Sequence, residues 1–290
     1  MVEDASQMTA IRRGLCLLLW AGGAPLHAQA SARFDLATSN RYVWHGLSRA
    51  AGIVMQPSLA AGYRLRRFTL SSGLALHYEL DRVSPDELSE LGNSHGRLGE
   101  DDLWVQADLA LGAVRLRSGL ARYLFRGGSP RGGGGSLGNT TETYLALGAV
   151  TVYLNPLLEA WWDVDRVRGG FLRASASSPV FGWPIEPFFF ISLAGEIGLN
   201  LGQHPDPARP GDLANFSQRG LTHAGLGLDL LFRVSQRPGL GSANVDLGLN
   251  GQLNLDDAAR YNGAGRSKSV ILWLSAGVTL LLGGEARTQR

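Results

Sequence analysis

Beyond residue 30 no apolar run approaches the length of a membrane-spanning helix; what recurs is strict alternation. Leu103, Val105, Ala107, Leu109 and Leu111 fall on one face, with Trp104, Gln106, Asp108, Ala110 and Gly112 between them. Val245, Leu247, Leu249, Gly251, Leu253 and Leu255 alternate with Asn244, Asp246, Gly248, Asn250, Gln252 and Asn254. Near the C-terminus, Val270, Leu272, Leu274, Ala276, Val278, Leu280 and Leu282 repeat the pattern. A period of two describes strands with one apolar face. These runs are long for a soluble sheet, whose strands average about five or six residues.

Twelve such segments are expected, starting near Phe34, Val54, Phe68, Asp102, Arg115, Thr140, Leu157, Gly170, Pro187, Gly220, Ala243 and Lys268. Connections after the even segments are short: Leu65–Arg67, Ala113–Val114, Asn155–Pro156, Phe181–Glu186 and Ser235–Ser242. Those after the third, fifth, ninth and eleventh are long and polar: Asp81–Asp101, Gly127–Asn139, Gly202–Arg219 and Asp256–Ser267. Those after the first and seventh read as short exceptions. Alternating short turns and long loops predict an all-β chain, a transmembrane antiparallel up-and-down β-barrel of about 12 strands in a bacterial outer membrane. A soluble sandwich or lipocalin would alternate too, but has no reason to sort its connections by length. Tyr42, Trp44, Tyr63, Tyr78, Tyr153, Trp162 and Trp183 fall near segment ends, where interfacial girdles belong.

The first thirty residues read differently. Arg12 and Arg13 precede the apolar run 14–26, which ends at Ala28-Gln29-Ala30, so residues 1–30 are expected to be a removable export signal. Residues 31–290 then form one barrel, with a short tail from 283. Cys16, the only cysteine, lies in that leader, so the exported chain would hold no disulfide. Of 290 residues 39 are glycine, 44 % are hydrophobic and 18 % charged, which excludes a disordered chain. The net charge of +2, from 27 basic and 25 acidic residues, gives no footprint for nucleic acid.

The stretch Ser39-Asn40-Arg41-Tyr42-Val43-Trp44-His45-Gly46-Leu47-Ser48, followed by Gln56-Pro57-Ser58-Leu59, resembles the opening of the TorF-type porin family. That family begins with a strand reading roughly S-x-Y-v-f-R-G-x-S and a second reading Q-P-s-l. Glu159-Ala160-Trp161-Trp162-Asp163-Val164-Asp165 is similar to a later acidic strand of the same family. The likeness covers about a quarter of the chain and implies a barrel with a pore. His45 stands where the family usually carries arginine.

If apolar residues face lipid, parity sends Glu79, Asp108, Glu142, Glu159, Asp163, Asp165, Glu196, Asp229 and Asp246 inward, with Arg64, Arg115, Arg117, Arg173 and Arg233. An arginine on the lipid face at the midplane would cost about 2–4 kcal/mol, so inward placement is the cheaper assignment. Nine acids against five bases predict a mildly cation-preferring pore for small hydrophilic solutes. The competing reading is a lumen closed by these charges pairing with one another. Asp163 and Asp165 would share a strand face, with a salt bridge to Arg115, Arg117 or Arg173 favoured over a Ca²⁺ site.

The remaining chemistry is sparse. No H-E-x-x-H, Walker or C-x-x-C motif occurs, and Gly132–Gly135 is followed by no lysine. No catalytic residue, cofactor or metal is expected. His77 and His223 fall inward, whereas a lipid hydrolase needs its histidine toward lipid. Expected partners are membrane lipids and small solutes, with homo-oligomerisation open. A non-conducting barrel that binds a partner through its loops, and more remotely a lipid hydrolase, are the competing functions.

Overall fold

In a computed structural model the chain is described over residues 28–50, 52–80, 97–125, 139–151, 153–183, 188–208, 214–237, 241–260 and 268–283. The leader up to residue 27, most of the long connections, the Gly132–Gly135 tip and the tail beyond Gly283 lie outside these residues.

Twelve antiparallel strands close into a barrel. They are β1 (Ala28–Ser39), β4 (Val54–Leu65), β5 (Phe68–Glu79), β6 (Arg97–Leu111), β7 (Val114–Phe125), β8 (Thr140–Ala149), β9 (Asn155–Asp163), β10 (Gly170–Trp183), β11 (Phe188–Asn200), β12 (Gly220–Arg237), β13 (Gly241–Asn254) and β14 (Val270–Gly283). Each pairs with its sequence neighbours, and β1 closes the ring on β14 with Phe34 opposite Leu280 and Ser39 opposite Ser275. No edge is left unpaired, which is what a sheet in lipid requires. β1 begins at Ala28, so removal of residues 1–30 would leave Ser31 opposite both Gly62 and Gly283.

Alternation sorts the two faces as parity predicts. Val105, Leu120, Leu145, Leu147, Ile197, Leu226, Leu249, Leu272 and Leu274 lie exposed on the outer wall. Their neighbours in sequence point inward, where Trp104, Gln106, Asp108 and Ala110 line a lumen cavity. At Gly73 an added Cβ would sit 2.4 Å from the Trp104 ring, so this inward glycine is the space that the indole fills.

Three expectations need correction. The connection after β1 is not short: residues 40–53 contain a hairpin, β2 (Tyr42–Trp44) and β3 (Leu47–Ala50). Tyr42 and Trp44 belong to that hairpin, inside the barrel, whereas Tyr153, Trp162 and Trp183 are exposed near strand ends as a girdle requires. β9 ends at Asp163, so Asp163 and Asp165 do not share a strand face. Asp163 instead accepts backbone N–H bonds from Asp165, Val167 and Arg168 at 3.0, 3.0 and 3.1 Å, closing the turn into β10.

Candidate functional site in the barrel lumen

The β2–β3 hairpin is built to turn sharply. Trp44 pairs with Leu47, leaving His45 and Gly46 as a two-residue loop with φ of 48° and 81°. Two successive positive φ values define the turn that matches strand twist, and histidine is among the residues that tolerate the first position. Gly46 is required at the second for another reason as well. A Cβ there would lie 2.1 Å from Nδ1 of His223, on β12.

The hairpin leaves the wall between β1 and β4 and reaches the opposite side of the barrel. Nε2 of Gln252, on β13, donates to the Gly46 carbonyl at 2.6 Å. His45 Nε2 donates to Glu142, on β8, at 3.3 Å. The His45 ring lies 4.5 Å from Phe171 of β10 and 5.2 Å from Trp161 of β9. Leu47, Phe171, Phe216 and Ala259 form a buried apolar cluster with Trp44 and Trp161 against it. Ala259 comes from a single helical turn, α1 (Asp257–Arg260), in the connection before β14. The end of the barrel that carries the long connections is thus filled by a folded plug.

Of the predicted pore residues, Glu142 supports this plug directly. Glu142 is fully buried and also accepts from the Tyr123 hydroxyl at 3.1 Å and from Gln203 Nε2 at 3.4 Å. Asp163 is equally buried, and the Thr140 hydroxyl donates to it at 2.5 Å. Glu79 is buried at the end of β5. Asp165 leaves the lumen altogether: it pairs with Arg122 at 2.6 Å, and both side chains are well exposed at the rim. His45 is held below its ordinary value near 6.5, chiefly because burial disfavours the imidazolium. Arg173 and Arg49 act in the same direction, while Glu142 opposes them.

Beneath the plug, Tyr144 stacks on Trp161 at 4.3 Å and donates to Gln106 at 2.8 Å. The next layer is charged. Arg117 pairs with Asp108 at 2.7 Å, and Arg173 bridges Glu159 at 2.5 Å and Glu196 at 3.7 Å. Glu196 also meets His223 at 3.2 Å. Toward the short turns the lumen opens into two cavities of about 550 and 530 Å³ that share Asp108, Arg115 and Arg117. Arg33, Arg64, Arg67 and Arg173 complete the basic lining, against Asp35, Asp108 and Glu196. Asp229 and Asp246 line neither cavity; they face the lumen on neighbouring strands, each two residues out of register with the other. Arg233 turns back to Gln236 and over Phe188.

Residue patterns missed Asp35, Glu100, Asp102 and the hairpin itself. Asp35 alternates between Phe34 and Leu36, and accepts from Thr279 at 2.6 Å, so the signal was present one residue past the expected start at Phe34. Glu100 and Asp102 continue the inward parity of Trp104 and Gln106; Glu100 was hidden because β6 begins at Arg97, inside the expected loop, and Asp102 stood at the expected strand start. His77, inward and buried as expected, donates to Asp102 at 2.8 Å. Among the described residues, His77, Glu100 and Asp102 form the group whose donor atoms are close enough to hold a metal ion.

No family model matches the chain, and no curated protein matches it. Solved structures similar to it are barrels. The porin KdgM is 12 % identical over 86 % of this chain and 98 % of its own, with a TM-score of 0.41. The porin NanC is 12 % identical over 85 % and 98 %, with a TM-score of 0.45. An outer-membrane channel from Pseudomonas putida F1 is 10 % identical over 90 % and 97 %, with a TM-score of 0.46.

Proposed function

We propose that this protein is an outer-membrane, porin-like channel for passive diffusion of small hydrophilic solutes, and that the β2–β3 hairpin sets its conductance. The observation that carries the reading is the lumen itself. An apolar outer wall encloses a charged, solvent-sized chamber, which has no purpose in a barrel that only anchors loops. The TorF-type resemblance supports it, and the first stretch that bears the likeness, Ser39–Ser48, runs through the hairpin.

Selectivity follows from where the charges sit rather than from their number. Glu142 is engaged by the hairpin, Asp163 closes the β9–β10 turn, Glu79 is buried at the end of β5 and Asp165 is outside, so the nine-to-five acidic excess does not describe the chamber. Six arginines and three carboxylates line its cavities, and Asp229 and Asp246 face the lumen beside them. Carriers inside the chamber are therefore attracted when anionic, and a KCl gradient across a planar bilayer is expected to give a reversal potential favouring Cl⁻. A K⁺-favouring potential would return the selectivity to the acidic, plug-filled end.

A non-conducting barrel is the second reading, favoured by the apolar cluster that docks the hairpin. Silence from folded protein, both intact and with the hairpin removed, would establish it.

A further inference from the structure

Outside the chamber, one cluster remains without a role. On adjacent strands His77 lies directly opposite Glu100, and Asp102 follows two residues later on the same face. The donor atoms of the three all lie within 4.8 Å of one another. His77 is buried and Glu100 is 1 % exposed. Among the described residues, Oε2 of Glu100 and Oδ1 of Asp102 are shielded from solvent yet meet no hydrogen-bond donor. The Tyr42 hydroxyl approaches only the other Glu100 oxygen, at 3.4 Å. Arg49, buried on β3, acts on both carboxylates, but one guanidinium balances one of the two charges. A buried carboxylate with an open lone pair is tolerated only when a cation or proton meets it.

We propose that His77, Glu100 and Asp102 bind a divalent transition-metal ion of the Zn²⁺ type at the root of the plug. One imidazole nitrogen and two carboxylate oxygens suit such an ion, whose ligand distances of about 2.0–2.2 Å require only a modest closing of the cluster. The metal takes the place of the proton now shared between His77 Nε2 and Asp102, 2.8 Å apart. That proton moves to Nδ1, which faces the Gln56 side-chain amide at 2.8 Å. An amide can turn its oxygen to accept in place of its nitrogen donating, so Gln56 is a positioning residue for the metal-bound tautomer. Asp102, still 16 % exposed at its side chain, gives the ion an entry from the lumen. Tyr42 stacks on the His77 ring at 4.5 Å and couples the site to the hairpin.

The proposal is independent of solute transport and is tested without it. The purified, folded chain is stripped with chelator, titrated with Zn²⁺ by calorimetry, and assayed for metal after dialysis. One Zn²⁺ per barrel is expected, with affinity lowered at least tenfold in E100Q and D102N. A loss of about 10–100-fold in Q56L is the expected effect of removing an outer-shell partner. Heat-modifiable migration on gels confirms that each variant is folded, and H223Q, which removes a separate lumen histidine, is a control expected to leave binding unchanged. No binding by the parent chain, or equal affinity in folded E100Q and D102N, would overturn the site.

Discussion

His45 and Asp163 show how single side chains set the state of the lumen. Because burial holds His45 below its free value near 6.5, the docked hairpin binds fewer protons than an undocked one as pH falls past that value. Docking is therefore fully stable above about 6.5 and weakens on acidification toward the lowered value. Glu142 offsets this only in part, and Arg49 and Arg173 reinforce it. Conductance is expected to rise between pH 7.5 and pH 5, and the rise should shrink in H45Q; a pH-independent current would show that His45 protonation does not govern docking. Asp163 carries a different weight. Its carboxylate meets three backbone N–H groups of the turn from β9 to β10 and the Thr140 hydroxyl at the start of β8. Replacing it with alanine leaves buried donors unmet and should cost about 3 kcal/mol in urea unfolding of the folded barrel. A loss below about 0.5 kcal/mol would mean that water satisfies the turn as well as the carboxylate does.

The hairpin is the element on which the account turns, and it tests how much a sequence discloses. Strand existence was legible because an apolar outer face and a polar lumen impose a period of two on every wall strand. The twelve segments expected are the twelve in the barrel, from Phe34 within β1 to Leu282 within β14. The hairpin obeys neither rule. Leu47 and Trp44 pack against Phe171, Phe216 and Ala259, more than a hundred residues away in sequence, while Tyr42 and Ala50 pack on Val54 at the start of β4. Lumen placement of Glu142, Asp163 and Glu196 followed from parity, but their partners did not. Partner choice depends on which strands the barrel closes against each other and on what the plug brings to them. One local signal was available: His45-Gly46 between apolar residues is a turn pair, and it does form the hairpin tip. Gly46→Val is expected to undock that tip, since the new side chain would enter the His223 ring. Protease access to residues near Arg49 should increase in this variant; unchanged protection would place the tip elsewhere.

At the scale of the whole barrel, charge is layered along the axis. Glu79, Glu100, Glu142 and Asp163 are buried toward the long connections, and the arginines of the chamber lie toward the short turns. Between the layers, Tyr144 and Trp161 form a floor on which the plug rests. The fold makes the plug separable from the wall. Ser39 of β1 lies opposite Val54 of β4, so a tight turn could join them with residues 41–52 removed and every barrel strand retained. The most direct measurement is single-channel conductance in planar bilayers of the intact chain beside this shortened variant, with both shown to be folded. Small steps from the intact chain and steps several-fold larger from the variant are the predicted result. Equal steps from the two proteins would contradict the account, because the hairpin would then not limit the path through the barrel.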